Sequence, residues 1–460
     1  MSNEIEPSRL PSSFRDPSGF VFTRRGKLYR RVSNSYRDEF DMLIDSGLYE
    51  ELAESELMVK HTTAESESHD SDTYLIIAPE PVGFISYPYE WCFSQLKDAA
   101  LVTLNIHERA LNRTMSLKDA SAYNIQFHQG KPLLIDTLSF ERFDVSRPWV
   151  AYRQFCRHFL APLALMAKRD PGLGLLARAY IDGVPLSLAS RLLPWHTRLS
   201  FPLLTHIHLH ASAERRFAGA DPSGSRRIMS MSAHLGLIDN LRRAIERLSL
   251  PEKASAWESY DEFHQYGDAA FASKLETVTD YIKRGKPNTV WDLGANIGEF
   301  SRIASNQGSS TVAFDYDHGA VERNYAKVRQ QQERHILPLV LDLTNPSPGL
   351  GWSHRERASL LDRGPADMVL ALALVHHLAI GNNIPLQELA GFLADCGRWA
   401  LVEFVPKEDP QVKKLLVSRE DIFHDYSQEG FEHAFGMTFR LHDSQAIAGT
   451  DRVLYLMERQ

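Results

Sequence analysis

The segment Val290-Trp291-Asp292-Leu293-Gly294-Ala295-Asn296-Ile297-Gly298-Glu299-Phe300 concentrates residue types that can hold a ligand. An apolar run ends in the acid Asp292 and passes into a glycine-punctuated turn. Glycine has no Cβ and tolerates positive φ, so backbone at such a turn can approach a bound molecule closely. Gly294, Asn296 and Gly298 are therefore candidate binding positions, with Phe300 in the first turn of the helix that follows. The same shape occurs in dinucleotide sites, so the glycines alone leave the ligand class open. Asp315 ends the next apolar run, and a carboxylate there suits the hydroxyls of a ribose because it accepts two hydrogen bonds at once; Asp317 is the nearby alternative. His376 and His377 follow a later apolar run. Histidine is the usual proton acceptor near neutral pH, which makes this pair the candidates for a general base. Glu403, at the end of another apolar run, is a second polar candidate.

These residues need a frame, and the apolar runs supply one. Strands are expected over Thr289 to Leu293, Ser310 to Phe314, Ile336 to Leu341, Ala366 to Ala373 and Arg398 to Phe404. A final hairpin is expected from Gly436 to Arg440 and Arg452 to Met457. Upstream, residues 1–18 are rich in Pro and Ser and are expected to be disordered. A hairpin follows at Gly19 to Thr23 and Leu28 to Val32, then helical periodicity from Ser35 to Leu57 and a polar loop from His61 to Asp72. Strands are expected at Tyr74 to Ala78 and Gly83 to Tyr87, and a long helix over Trp91 to Leu111. The pattern from Trp149 to Leu250 is mainly helical. A domain boundary is expected near Pro251 to Ser259, giving an N-terminal α+β domain over 19–255 and a C-terminal α/β domain over 256–460.

In order and spelling, the C-terminal motifs resemble a class I S-adenosylmethionine-dependent methyltransferase. The resemblance implies a Rossmann-like seven-stranded sheet with a C-terminal antiparallel pair, and S-adenosyl-L-methionine as cofactor. It implies that Asp292, Gly294, Asn296, Gly298, Phe300 and Asp315 line the cofactor, and that Asp342 faces the exocyclic amine of adenine. Trp257, Tyr260 and Tyr266, with Lys274 beyond them, belong to a helix of the kind that covers the cofactor in some small-molecule methyltransferases. There an aromatic face near a sulfonium contributes about 0.5–2 kcal/mol, or else the aromatics only dock the helix on the sheet. The spelling D-L-G-A-N-x-G-x-F-S resembles bacterial O-methyltransferases linked to sugars and secondary metabolites, including a group connected with rhizobial nodulation. The expected acceptor is a small molecule or glycan, methylated at oxygen. No N/D-P-P-Y/F follows strand four, and there is no Pro-Cys nucleophile and no double-glutamate hairpin, which argues against DNA, RNA-base and arginine acceptors. A non-catalytic cofactor-binding scaffold or sensor is the alternative.

The N-terminal half resembles a degenerate kinase-like phosphotransferase. Asp119, Asn124 and Asp136 match the acid that orients an acceptor hydroxyl and the two magnesium ligands. Leu117 stands where the usual His would be, no glycine-rich phosphate loop is present, and only Arg31 is placed to replace the strand lysine. The reading this supports is a domain that binds a substrate, nucleotide or partner protein for the methyltransferase, with a bifunctional phosphotransferase as the further alternative. His206 and His210 would share a helix face, but no acid or cysteine lies nearby to complete a metal set. The composition is that of a soluble protein, 43% hydrophobic and 24% charged. A net charge of −8 argues against a nucleic-acid surface. Three widely spaced cysteines make no disulfide framework. With no signal peptide and no apolar run long enough to span a bilayer, the expected setting is cytoplasmic.

Overall fold

The computed structural model describes residues 8–65, 70–212, 229–251, 268–417 and 420–460. The chain forms two compact units. One is Met1–Ala254 with Gly349–Arg357, and the other is Ser255–Pro348 with Ala358–Gln460.

The first unit opens with a five-stranded antiparallel sheet of β1 (Ser8–Arg9), β2 (Gly19–Arg24), β3 (Lys27–Ser33), β4 (His61–Ala64) and β5 (Thr73–Pro79), in the order β1-β2-β3-β5-β4. The β2–β3 hairpin turns at Arg25-Gly26, both with positive φ. The expected helix from Ser35 to Leu57 is two helices, Arg37–Asp45 and Leu48–Glu54, broken where Gly47 adopts φ 73°. Three expectations need correcting. Residues 8–18 are ordered, because Ser8 and Arg9 pair with Thr23 and Phe22 and Ser13 Oγ accepts from Val21 N–H. The polar stretch at His61 contains the edge strand β4, whose ladder to β5 needs no apolar face. Gly83 to Tyr87 is not a strand, since Ser86 N–H bonds the Gln126 side chain instead of a neighbouring strand. A long helix, α1 (Phe93–Asn112), then packs its apolar face against two small ladders, β6 (Met115–Leu117) with β9 (Phe140–Arg142) and β7 (Ile125–His128) with β8 (Lys131–Leu134). A second helix, α2 (Met231–Glu246), lies along α1, tied by Arg242 to Glu108 and by Lys97 Nζ to the carbonyls of Glu246 and Leu248.

The second unit is a seven-stranded sheet of β10 (Thr289–Leu293), β11 (Ser310–Asp315), β12 (Ile336–Val340), β13 (Ala366–Ala371), β14 (Gly397–Phe404), β15 (Phe439–Ala446) and β16 (Val453–Arg459). The order is β12-β11-β10-β13-β14-β16-β15. The first five strands are parallel, and β16 runs antiparallel between β14 and β15. Strands covered by helices on both faces read as continuous apolar runs, which is why these were visible in the sequence. The expected start of the last hairpin at Gly436 is corrected: Gln428–Gly436 is helical, and β15 begins only at Phe439. Helix α3 (Asp268–Gly285) lays Val278, Tyr281 and Ile282 on the sheet against Val290, Met368, Leu370, Leu401 and Leu456. Burying each such aliphatic side chain contributes roughly 1.5–3 kcal/mol. That packing fixes the strand ends on which the candidate site stands. This sheet order, with an antiparallel strand inserted beside the fifth parallel one, is the class I methyltransferase fold.

Candidate cofactor and catalytic site

The reversal of strand order beside β10 leaves a crevice at the carboxyl ends of β10, β11 and β12, where open α/β sheets bind ligands. Asp292, Asp315 and Asp342 stand at or just beyond those three ends. Asp292 is buried and accepts a 2.5 Å hydrogen bond from Ser301 Oγ on α4 (Glu299–Asn306). Burial pushes its carboxyl up to about 7, and the charge of Asp315 adds to the rise against the opposing Ser301 bond. Gly294, Asn296 and Gly298 adopt φ of 79°, 49° and 81°. A Cβ on Gly298 would meet Asn324 Nδ2 at 2.5 Å and Arg302 Nη1 at 2.7 Å. That glycine thus serves the packing of the turn as much as any ligand. Arg302, which the sequence did not single out, braces the turn from behind: Nη1 donates to the Ile297 carbonyl at 2.7 Å while Glu333 holds the rest of the guanidinium.

Asp315 Oδ2 accepts from Asn296 N–H at 2.7 Å and Oδ1 from Asp317 N–H at 2.9 Å. The acid therefore joins the ends of β10 and β11 into one rim. Its carboxyl is raised to about 6, chiefly by burial. Asp317 is the N-cap of helix α5 (His318–Gln331), accepting from Gly319 and Ala320 N–H. Asp317 thus serves the helix start, while Asp315 ties the two strand ends together. Asp342 is exposed beyond β12, with Oδ1 held by Thr344 N–H and Oγ1.

Phe300 is partly buried in the first turn of α4. It packs against the core cluster of the sheet, with Lys274 Nζ 4.6 Å from its ring centroid. Tyr266, Trp257 and Tyr260 lie outside the described residues. Glu403 is fully buried and saturated: Oε2 accepts from Lys274 Nζ at 2.6 Å and Ala373 N–H at 2.9 Å, and Oε1 faces Arg452 Nη1 at 3.2 Å. Arg452 Nε continues to Asp409 Oδ2 at 2.8 Å. Glu403, expected as a second polar candidate, thus sits inside a buried ion cluster with both oxygens engaged. It fixes the turn at Ala373, φ 50°, that leads from β13 to the two histidines. In the same turn Leu374 would touch a Cβ placed on Gly294, at 3.3 Å. Arg452 and Asp409 had no signal in the sequence. The β14–β16 pairing brings Arg452 to Glu403, and Asp409, the N-cap of the helix Pro410–Leu416, joins through Arg452.

The rings of His376 and His377 lie 4.2 Å apart, tilted at 38° to each other. His376 is buried, its Nδ1 has no hydrogen-bond partner among the described residues, and its pKa is held well below the ordinary value by burial, then by His377 and Arg452. His377 is half-buried and also lowered, by burial and Arg452. Both are neutral at pH 7 and can accept a proton.

No family model matches the chain. Along 462 aligned residues it is 34% identical to the nodulation protein NoeA of Rhizobium meliloti (strain 1021), covering 98% of this chain and 96% of the relative. The chain belongs to the NoeA family. Among solved structures, WbdD crystallised with the kinase inhibitor LY294002 aligns at 18% identity over 43% of this chain and 43% of its own, less than half its length, with a TM-score of 0.31. Magnesium protoporphyrin IX methyltransferase (ChlM) from Synechocystis PCC 6803 with bound SAH aligns at 15% identity over 44% of this chain and 94% of its own, TM-score 0.31. The N-methyltransferase NodS from Bradyrhizobium japonicum WM9 aligns at 10% identity over 42% and 97%, TM-score 0.31.

In the first unit of this NoeA-family chain, Asp119, Asn124 and Asp136 lie close enough to interact. Asn124 and Gln154 donate to Asp119, whose carboxyl is raised by burial and then by Asp136. A cation of the chain itself pairs with Asp136. Arg30 Nη2 lies 2.8 Å from Asp136 Oδ1 and 2.5 Å from Asp16 Oδ2. Arg31, expected in that role, points to the other face of β3 and binds Asp70 and Asp72. Successive strand residues face opposite ways, so a one-residue error moves the side chain to the wrong side of the sheet. His206 is spent between the Tyr152 hydroxyl and Asn240, and His210 stacks on Tyr152. No group of three or more metal-ligating side chains occurs among the described residues.

The raised acids make stability pH-dependent. An acid whose folded pKa is raised holds its proton more tightly when folded, so its burial costs stability as pH climbs from the unfolded value near 4 to the folded one. For Asp292 that window ends at about 7, and for Asp315 at about 6. Denaturant unfolding of the ligand-free chain should therefore show stability falling between about pH 4 and 7. Asp292→Asn should flatten that fall by no more than about 4 kcal/mol, leaving the part due to Asp315. An equal slope in the variant would place the burden elsewhere.

Proposed function

We propose that this chain is an S-adenosylmethionine-dependent methyltransferase whose acceptor is a small-molecule or glycan hydroxyl. The observation that carries the reading is the rim at the ends of β10 and β11, where the positive-φ turn Gly294–Gly298 is clamped to Asp315 through Asn296. The residues fit the cofactor's chemistry: Asp315 for the ribose diol, Asp342 for the adenine amine, Asp292 behind the turn, and glycines that admit close backbone approach. S-adenosylmethionine, when bound, supplies an electrophilic methyl group. What the chain must add is alignment of the acceptor and removal of its proton. His377 is assigned the proton, because it is neutral and partly accessible. His376, buried against it, is assigned to positioning, with Glu403 holding the turn beneath both.

An oxygen acceptor is favoured because a hydroxyl must lose a proton on methylation and a neutral imidazole pair stands beyond β13 to receive it. The NoeA relative's name gives the family a setting, nodulation, that is compatible with a glycan acceptor. The first unit is read as a binding module and not as a phosphotransferase, because Arg30 pairs with Asp136, one of the two residues matched to magnesium ligands.

Calorimetric titration with S-adenosylhomocysteine tests the cofactor reading. The wild type should bind, and Asp315→Asn should weaken binding about 30- to 150-fold, the equivalent of losing about 2–3 kcal/mol of charge-assisted hydrogen bonding. Circular dichroism should be unchanged. A wild type that fails to bind would sink the reading.

A further inference from the structure

The stretch from Gly183 to Ser212 contains no Asp or Glu. It folds as four short helical pieces, Leu186–Leu192, Trp195–Leu199, Phe201–Leu203 and Leu204–Leu209, packed on one another. Their burial is inverted. Trp195 is 76% exposed, Leu199 77%, Phe201 67% and Leu209 54%, whereas His206 and His208 are buried beneath them. The buried histidines are satisfied. His208 bridges Ser190 Oγ at 2.8 Å and Thr197 Oγ1 at 2.9 Å, and His206 bridges the Tyr152 hydroxyl at 2.6 Å and Asn240 Oδ1 at 2.7 Å. The exposed aromatics are therefore held on a polar scaffold fully engaged on its inner side. Arg191, His196 and Arg198 are exposed among them, and Arg169 reaches the rim to bond the Leu192 carbonyl at 2.7 Å.

Several exposed apolar side chains in a stretch that carries basic residues and no acid point to an interaction site rather than ordinary surface. Trp, Phe and Leu projecting beside arginines, with no acid between them, match the interface of an anionic bilayer: the rings enter the headgroup region while the guanidinium groups meet lipid phosphates. No described helix is long and apolar enough to cross a membrane, so the contact would be peripheral. We infer that the surface formed by Leu192, Trp195, Leu199, Phe201 and Leu209 docks the first unit on an anionic lipid bilayer. The inference does not depend on the methyltransferase reading.

Sedimentation of the full chain with vesicles is the test. The wild type should pellet with phosphatidylcholine–phosphatidylglycerol vesicles, far less with phosphatidylcholine alone, and should be released by high salt. The variant Trp195→Ser, Leu199→Ser, Phe201→Ser should lose at least tenfold in partitioning while keeping the wild-type melting profile. Arg191→Glu with Arg198→Glu, which alters only exposed positions, should weaken binding to the anionic vesicles alone. The proposal is overturned if the wild type pellets with neither vesicle, or if the Arg191→Glu, Arg198→Glu variant partitions like the wild type. It is equally overturned if the wild type self-associates without lipid and the serine variant is monomeric, which would make the surface a contact between copies.

Discussion

Replacing His377 by alanine is expected to lower turnover of a hydroxyl acceptor by about 10²–10⁴-fold, with S-adenosylhomocysteine binding retained. The ring is half-buried and held below its ordinary pKa by burial and by the Arg452 charge, so it is neutral at physiological pH and ready to accept a proton. The same shift sets the pH profile. In the wild type kcat should rise with pH through a midpoint below 6.5, the ordinary histidine value, because the base works only once deprotonated. In His377→Ala that acid limb should vanish, whereas a merely structural histidine would leave it in place. His376→Ala serves as the counterpart. Its ring is buried, so its loss should lower turnover without removing the pH limb. If the limb disappears in His376→Ala and persists in His377→Ala, the two roles are exchanged. A nearly unimpaired His377→Ala enzyme would mean that the acceptor needs no base, as an already neutral amine does not.

The parts of this architecture that were legible are those governed by local pattern. Parallel strands buried on both faces leave continuous apolar runs, and β10, β11 and β13 stand where such runs stop at an acid or a turn. The candidate rim was legible for the same reason, since Asp292, the positive-φ turn and Asp315 follow one another at strand ends. What escaped was set by contacts between distant segments. The strand β4 has a polar, edge-strand composition, and only its partner β5 makes it a strand. Arg30 and Arg31 cannot be told apart until the sheet assigns a face to each. Gly349–Arg357 belongs with the first unit, where Arg15 bonds Glu356 and Tyr123 lies under Arg357, although the chain on either side of it belongs to the second. Phe300 reads as part of a ligand motif, yet the space beside it is taken by Lys274 and the core.

Glu403 is a buried acid at a strand end, and its removal should be strongly damaging to the second unit. Lys274 and Glu403 are both almost wholly buried, and Arg452 and Asp409 extend the pair into an alternating cluster of two cations and two anions. Glu403→Ala would remove the carboxylate 2.6 Å from the Lys274 ammonium and the acceptor of the Ala373 N–H. Breaking a buried pair from one side costs about 3–5 kcal/mol, mostly from the stranded charge. For a unit of this size that corresponds to a fall of about 10 °C in the melting transition that S-adenosylhomocysteine shifts upward. Lys274→Met should cost less, because Glu403 would keep Arg452. The decisive comparison is Lys274→Met with Glu403→Leu together. Removing both charges removes the desolvation problem, so the double variant should be more stable than Glu403→Ala alone. If the double variant is instead as unstable as the sum of the singles, the two residues act independently and the cluster is not a coupled network. A coupled network would also loosen the turn at Ala373, and turnover would then fall in Glu403→Ala even at temperatures where the chain stays folded, through misplaced histidines and not through loss of a base.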